Sequence, residues 1–446
     1  MNLHRNNRCR LRAFTFATLT ALAVLISGCG GGGGSPAPSG NTAAVAASGD
    51  TTAVSVYQPP LSAAATAKPA ATGDVAADGV NWMNYRRAQF GLAPMTKNAA
   101  LGQAAQAHAN YLTLNDSYSL EGHDETPSKP GFTGVDPIVR MLAAGYPRDY
   151  MGENMHSTRF NDGADKTDEL IDAPYHRKAQ LGDYLHAGGG SSFMARTATR
   201  LQDAYHYVIN FGGRSSSWGP AANQIAVLPT PGQQDAPTGW MARERPHPVP
   251  DLDGQRVGYP ISLQSASGSA LAVSSFALND SRGIAISGRL ITTRTDTGAA
   301  LNNQAFWIPL APLAPASNYT AAASGSLNGV AMKLSWAFKT MVELPMAITA
   351  SSANLPALPG SMVSATLAGG TGRQVRFVGG ASGYYYKNMP PAVAPEFASI
   401  RFDSPGAVTV VRSATACDPA IFIRCEYRLF GLDEAGAQVI LTLPVS

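Results

Sequence analysis

Six of the eight histidines fall between positions 108 and 206, and three short segments there bring together residue types that do chemistry: Gly122-His123-Asp124-Glu125, Gly152-Glu153-Asn154 and Ala173-Pro174-Tyr175-His176-Arg177. Neutral imidazoles can hold a zinc ion, whose charge lowers the pKa of a bound water, while a neighbouring carboxylate orients that water or relays its proton. The same residue types also build hydrogen-bonded cores. His108 recurs on an apolar helical face with Leu101, Ala105 and Leu112, which marks it as a core histidine. His156, His186 and His206 read as structural or peripheral, and Arg177 as the partner of a carboxylate. There is no Gly-x-Ser-x-Gly elbow and no His-Glu-x-x-His helix.

These residues need a scaffold, and the first half of the chain supplies a mixed one. Val80, Met83, Arg87 and Phe90 begin a helical face, Leu101 to Leu112 continues the period, Ile138 to Ala144 is closed by Gly145, and Asp165 to Ala173 stops at Pro174. Tyr205 to Phe211 followed by Gly212-Gly213 reads as a strand and turn, and Gln224 to Leu228 as a second strand.

The segments Asn84-Tyr85-Arg86-Arg87, Leu101 to Ala109, Gly122 to Glu125, Pro130 to Gly134, Gly145-Tyr146, Gly152-Glu153-Asn154, Ala173 to Arg177 and Val208 to Gly212 come in one fixed order. That order resembles the bacterial branch of the CAP superfamily (cysteine-rich secretory proteins, antigen 5 and pathogenesis-related 1; the SCP domain) over roughly residues 76–232. The resemblance implies an α+β fold, a three-layer α-β-α sandwich whose cleft gathers two histidines and acids. His123 matches the first cleft histidine, Glu153 the glutamate of the Gly-Glu-Asn motif and His176 the second histidine. These are the candidate catalytic residues, His123 and His176 the candidate metal ligands, and zinc the cofactor they would hold. Separations of 30 and 23 residues are no metal signature by themselves. Many eukaryotic members have a second cleft glutamate three residues after a tryptophan; here Asp165 to Ala173 has no tryptophan, and Glu169 and Asp172 both remain open for that place. Glu153 could instead pin a turn by accepting backbone N–H bonds.

The N-terminus bears on compartment. Arg5, Arg8, Arg10 and Arg12 precede an apolar run from Ala13 to Ile26. As a helix that run rises about 21 Å, short of the roughly 30 Å hydrocarbon core, which fits a secretory signal over 1–28. Leu25-Ile26-Ser27-Gly28-Cys29 resembles the lipobox of bacterial lipoproteins, implying acylation of Cys29, a membrane anchor and, with Gly30 rather than Asp following, outer-membrane sorting. Residues 29–75, rich in Gly, Ala, Ser, Thr and Pro, read as a flexible tether. Cys417 and Cys425 remain as an even pair, expected to form a disulfide in an oxidising compartment. The formal charge of +3 changes once the signal is discounted: 29 basic and 30 acidic side chains leave −1. Charged residues make up 14% of the chain against roughly 25% ordinarily, with 45 Gly and 31 Pro, which excludes a coiled coil or a long helical array. No Lys/Arg cluster marks the mature chain, so nucleic acid is not an expected partner.

A Pro-rich connector spans 233–255. Beyond it, short β-prone runs separated by Gly, Asp, Asn and Ser predict two all-β sandwich-like domains, 256–342 and 343–446. Leu313 to Tyr319, ahead of Trp336-Ala337-Phe338, resembles the tyrosine corner and closing strand of bacterial immunoglobulin-like domains, implying a spacer or adhesive module. Gly369 to Arg373 lacks the P-loop lysine spacing and reads as a turn. Tyr384-Tyr385-Tyr386 reads as strand packing ahead of a sugar-stacking platform. The leading expectation is binding of a lipid or wall component at the cell envelope, with the protein periplasmic or surface-exposed. A zinc-assisted hydrolase of peptide or wall material and an adhesive display protein are the alternatives.

Overall fold

The computed structural model describes residues 53–60, 66–115, 122–158, 162–195, 204–296, 301–371, 375–387, 395–433 and 435–445. The expected signal peptide, the acylated Cys29 and the tether as far as residue 52 lie outside the described residues, as do the side chains of Tyr384 to Tyr386.

The chain enters as β1 (Ser55–Val56) and passes to α1 (Val75–Gln89). Asp74 caps α1 by accepting from the amides of Ala76 and Ala77, and Asp78 and Arg86–Arg87 suit the two ends of its dipole. Then follow β2 (Thr96–Lys97), α2 (Ala99–Leu114), α3 (Pro137–Ala143), β3 (Met151–Thr158), α4 (Gly163–Asp172), α5 (Pro174–Gln180), β4 (Tyr184–Met194) and β5 (Ala204–Arg214). Asn98, Asp136 and Asp162 cap α2, α3 and α4 in the same way. The sheet order is β2-β4-β5-β3, with β3 antiparallel to β5 along the edge.

Three consecutive glycines in β4 explain how this sheet carries helices on both faces. A Cβ on Gly188 would stand 2.2 Å from the amide of Gly102, and one on Gly190 2.2 Å from that of Gln106, both in α2. A Cβ on Gly189 points the other way and would meet the carbonyl of Ala76 in α1 at 2.8 Å. The glycines let both helix backbones lie directly on the strand. The result is a three-layer α-β-α sandwich.

The chain leaves this sheet at Arg214. Gln224–Leu228 (β6), which by sequence groups with the mixed domain, pairs instead with β9 (Ile261–Gln264), after a short hairpin of β7 (Gly239–Met241) and β8 (Arg256–Gly258). β10 (Leu271–Asp280), β11 (Gly288–Ile291), β12 (Gln304–Pro309), β13 (Asn318–Leu327) and β14 (Val330–Lys339) complete a sandwich of two sheets, ordered β1-β6-β9-β12-β11 and β10-β13-β14. Its core holds Phe276, Trp336, Phe338 and Tyr319. Strand alternation supplies them: along β14, Met332, Leu334, Trp336 and Phe338 are buried while the residues between them are exposed. The Tyr319 hydroxyl accepts from the amide of Ala314 at 2.8 Å, the tyrosine corner foreseen.

A second sandwich follows, built from β15 (Leu344–Ala350), β16 (Met362–Gly370), β17 (Arg376–Tyr386), β18 (Ala398–Ser404), β19 (Ala407–Arg412), β20 (Phe422–Leu432) and β21 (Gln438–Pro444). Its sheets run β15-β16-β19-β18 and β17-β20-β21. Cys417 and Cys425 form the expected disulfide beside its core.

Neither the expected tether nor the connector is free chain where described. Residues 55–56 pair in parallel with β6, and the hydroxyl of Tyr57 donates to the carbonyl of Gly91 at 2.7 Å. Val54, Val56 and Tyr57 are large apolar residues in an otherwise small-residue segment, and they pack against the neighbouring cores. In the connector, Trp240, Ala242 and Val249 are buried with Phe306 and Ile308.

Candidate functional site

His108 projects from the buried face of α2 and is fully enclosed. Its two ring nitrogens face oxygen acceptors, Nδ1 the carboxylate of Glu125 at 2.9 Å and Nε2 the carbonyl of Gly122 at 3.2 Å. Glu125 also accepts from the amide of Thr133 at 2.7 Å and lies 3.7 Å from Nε of Arg140. Arg140, in the last turn of α3, is fully buried and donates to both oxygens of Glu153, at 2.9 and 3.0 Å. Glu153 stands on β3, and its Oε1 lies 2.9 Å from Nδ1 of His123, the one half-exposed member of the chain.

Two of the three candidate residues, His123 and Glu153, therefore meet at one end of a buried relay of side chains. Burial by itself would raise the Glu153 carboxyl. The hydrogen bond from His123 and the charge of Arg140 outweigh it and bring Glu153 below the usual carboxylate range. Glu125 is held low in the same manner, burial being overcome by His108, the Thr133 amide and Arg140. Glu153 pins no turn: it lies within a strand and its oxygens are taken by side chains.

The third candidate is positioned from elsewhere. His176 lies in α5, which begins at Pro174 and has no side-chain cap of its own. Oε1 of Glu244, in the connector, accepts from the His176 amide at 2.8 Å and lies 2.6 Å from its Nδ1. The side chain of Glu244 is fully enclosed, and its other oxygen, Oε2, has no partner among the described residues. Asn154 donates from Nδ2 to the carbonyl of His176 at 2.8 Å. Adjacent strand residues point to opposite faces, so Glu153 turns to α3 and His123 while Asn154 holds the helix that carries His176. The Gly-Glu-Asn motif thus serves both histidines, each of which has its own carboxylate.

Neither open candidate for the second acid is paired with these imidazoles. Glu169 binds His156 and, at 3.3 Å, Arg376 of the second sandwich. Asp172 accepts from the hydroxyl of Tyr259 at 2.8 Å. Arg177 departs from expectation as well. Its guanidinium donates to the carbonyls of Ile171, Asp172 and Pro260 and to the Ser262 hydroxyl and lies over the ring of Tyr259, with no carboxylate partner among the described residues. His186 contacts Tyr146, and His206 contacts Ser157, in the structural roles expected. Among the described residues no three His, Cys, Asp or Glu side chains gather as a metal-holding group. His123 and His176 each turn Nδ1 to a carboxylate, so Nε2 is the nitrogen a zinc ion would draw on.

Around Glu125 several apolar side chains are exposed: Phe132 and Val135 in the loop before α3, Ile138 and Val139 in the first turn of α3, and Leu114 at the end of α2. They adjoin the buried relay directly. The amide of Glu125 donates to the carbonyl of Val135 at 3.1 Å. A Cβ on Gly131 would stand 2.8 Å from Leu114, and one on Gly134 would stand 2.9 Å from Val139.

A layered sheet flanked by α2 and α3, with a Gly-Glu-Asn strand facing a His-bearing loop and a Pro-x-His helix, has a match among known families. Residues 80–211 fit the model described as CAP, the cysteine-rich secretory protein family. This stretch is a CAP domain. It makes up just under a third of the chain, and the two β-sandwiches follow it. No curated protein matches the chain. Among solved structures, an extracellular SCP-domain protein from Bacillus anthracis str. Ames is 17% identical, with 33% of this chain and 45% of that chain covered and a TM-score of 0.25. The chain thus spans less than half the length of that protein. The N-terminal part of the bacterial S-layer protein SbsC is 10% identical over 42% of this chain and 41% of its own, at a TM-score of 0.20. An I-band fragment of titin is 10% identical over 42% and 58%, also at 0.20.

Sequence reasoning missed Glu125, Arg140 and Glu244. Arg140 carried a faint signal, a lone charge in a seven-residue helix whose neighbours are apolar. Glu244 carried none, since it stands in a proline-rich run 68 residues beyond its partner.

Proposed function

We propose that this protein is an extracytoplasmic, membrane-tethered CAP-domain lipoprotein that binds a lipid or an apolar wall component of the cell envelope through the apolar residues around Glu125. The observation that supports the reading is the set of exposed apolar residues Leu114, Phe132, Val135, Ile138 and Val139, tied through Val135 to Glu125 and followed in α3 by Arg140, which compensates Glu153. Glu153, forked by Arg140 and held below the usual carboxylate range, is a weak base, so it suits recognition better than proton transfer. The Cys417–Cys425 disulfide fits an oxidising compartment, and the lipobox-like run supplies the anchor at Cys29, with outer-membrane sorting favoured. No role for nucleic acid enters this reading.

The test is sedimentation of the chain, purified without its first 29 residues, with phosphatidylethanolamine–phosphatidylglycerol vesicles and with purified wall sacculi. Binding to one of them should fall about tenfold or more in Val135→Asp/Ile138→Asp, because each apolar side chain that leaves contact forfeits roughly 1.5–3 kcal/mol. Affinity for neither, or affinity indifferent to the double variant, would overturn the proposal. Labelled palmitate should enter the wild-type protein in cells, and label retained by Cys29→Ser would refute the anchor.

One observation favours the zinc-assisted hydrolase as a second reading: Glu244 engages Nδ1 of His176 and leaves Nε2 as the open lone pair a metal ligand or general base needs. Release of wall peptides that disappears in His176→Ala would promote it.

A further inference from the structure

We infer that Glu244 is the positioning acid of His176, so that the His/Glu site of the CAP domain is completed by chain that follows the domain. The inference rests on reading the His/Glu cleft as the working site and concerns how that site is assembled.

Three consecutive residues of α5 are held by groups beyond residue 232. The hydroxyl of Tyr175 donates to Asp296 at 2.5 Å. His176 is engaged by Glu244 through both its amide and its ring. Arg177, 1% exposed, donates to the carbonyl of Pro260 at 2.6 Å and stacks over Tyr259. Ala173 and Tyr175 pack into the same apolar cluster as Trp240, Val257 and Phe306. The helix that presents His176 is therefore as much a part of the first sandwich's surface as of the CAP domain. That module acts on the site as well as spacing it from other parts of the chain.

A carboxylate accepting from Nδ1 fixes which nitrogen carries the proton and how the ring is turned, and it presents Nε2 as the acceptor. The CAP domain's own acids do not do this, because Glu153 belongs to His123 and Arg140, and Glu169 to His156 and Arg376. Oε2 of Glu244 strengthens the assignment. A buried carboxylate oxygen without a protein partner is costly where only structure is served, and it is intelligible where a bound hydrogen-bond donor completes it.

Glu244 also caps α5, and the experiment must separate that role from positioning. Long-range 1H–15N correlation spectra of the full chain, with histidine 15N-labelled and His176→Gln used for assignment, report which ring nitrogen holds the proton. At pH 9 the wild type should show His176 protonated at Nδ1. Glu244→Gln, whose amide oxygen still accepts from both donors, should keep Nδ1–H, whereas Glu244→Ala should lose that preference. In Glu244→Ala the His176 amide should exchange about tenfold faster, and the His123 ring signals should stay in place. A wild-type ring protonated at Nε2 alone, or a Glu244→Ala ring unchanged from wild type, overturns the inference. The wild-type spectrum decides even if Glu244→Ala fails to fold. These readings require no ligand, so their failure is distinct from failure of the envelope-binding proposal.

Discussion

Among the histidine–carboxylate pairs of this molecule, those of His123 and His176 are built on opposite principles. In the His123 pair the carboxylate is fully compensated: both Glu153 oxygens meet Arg140, one meets the imidazole, and the residues that do so come from the CAP domain. In the His176 pair the carboxylate arrives from the connector, one oxygen does all the bonding, and the other has no partner among the described residues. The first arrangement fixes a shape. The second holds a ring in one orientation with bonding capacity unspent. Family resemblance names the two histidines together, but their surroundings differ.

Substitutions should separate the pairs sharply. The largest effect is expected from Arg140→Met, which strands two buried carboxylates. Urea unfolding at pH 7 should show a loss of about 3–5 kcal/mol, and the loss should shrink in acid as Glu125 and Glu153 become protonated. Removing the disulfide by Cys417→Ser/Cys425→Ser should lower the stability of the second sandwich by about 2–3 kcal/mol. It should leave the ring signals of His123 and His176 untouched, because neither pair draws on that module. Glu153→Gln should lose about 1–3 kcal/mol at pH 7. The sign of its pH dependence follows from the lowered Glu153 carboxyl. Its contribution is present above the unfolded value near 4.3 and is lost as pH falls through the lower folded value, so the variant's stability curve should be flatter in acid. The same exchange at the other pair, Glu244→Gln, should cost the least, about 1 kcal/mol or below, since one oxygen has no bond to lose. Equal losses at the two glutamates would erase the distinction.

How much of this was legible in the sequence depended on how local each signal is. Asp74, Asn98, Asp136 and Asp162 cap the helices they precede, and the apolar residues of α2 mark its buried face, whereas the buried face of α1 includes Gly79 and Arg87. The alternation in β14 and the corner at Tyr319 are equally local. β4 hides because Gly188 to Gly190 have no side chains to show an alternation, and only the approach of α1 and α2 shows why a strand needs them. At the site, His123 and Glu153 are joined as the ordered motifs imply. Glu244 is invisible because its meaning lies in the docking of a sandwich against α5, and no spacing rule encodes that contact. Glu169 had the right chemistry on the right helix, yet it is turned to His156 and Arg376.

The short strand β1 has a mechanical consequence. A pull on the chain from before residue 53 reaches the folded body first through Ser55 and Tyr57, whose amides donate to Asn223 and Ile225 at 3.0 and 2.8 Å, aided by Asn223 Nδ2 on the carbonyl of Ala53 at 3.0 Å. With the Tyr57 hydroxyl on Gly91 and the packing of Val54 and Val56, these bonds hold a two-residue strand, a smaller attachment than that of the long strands behind it and the one expected to part first under load. Peeling the chain back to Asp74 would add roughly 20 residues of slack, about 70 Å at full extension. The head of the molecule could then extend its reach under tension without unfolding either histidine pair.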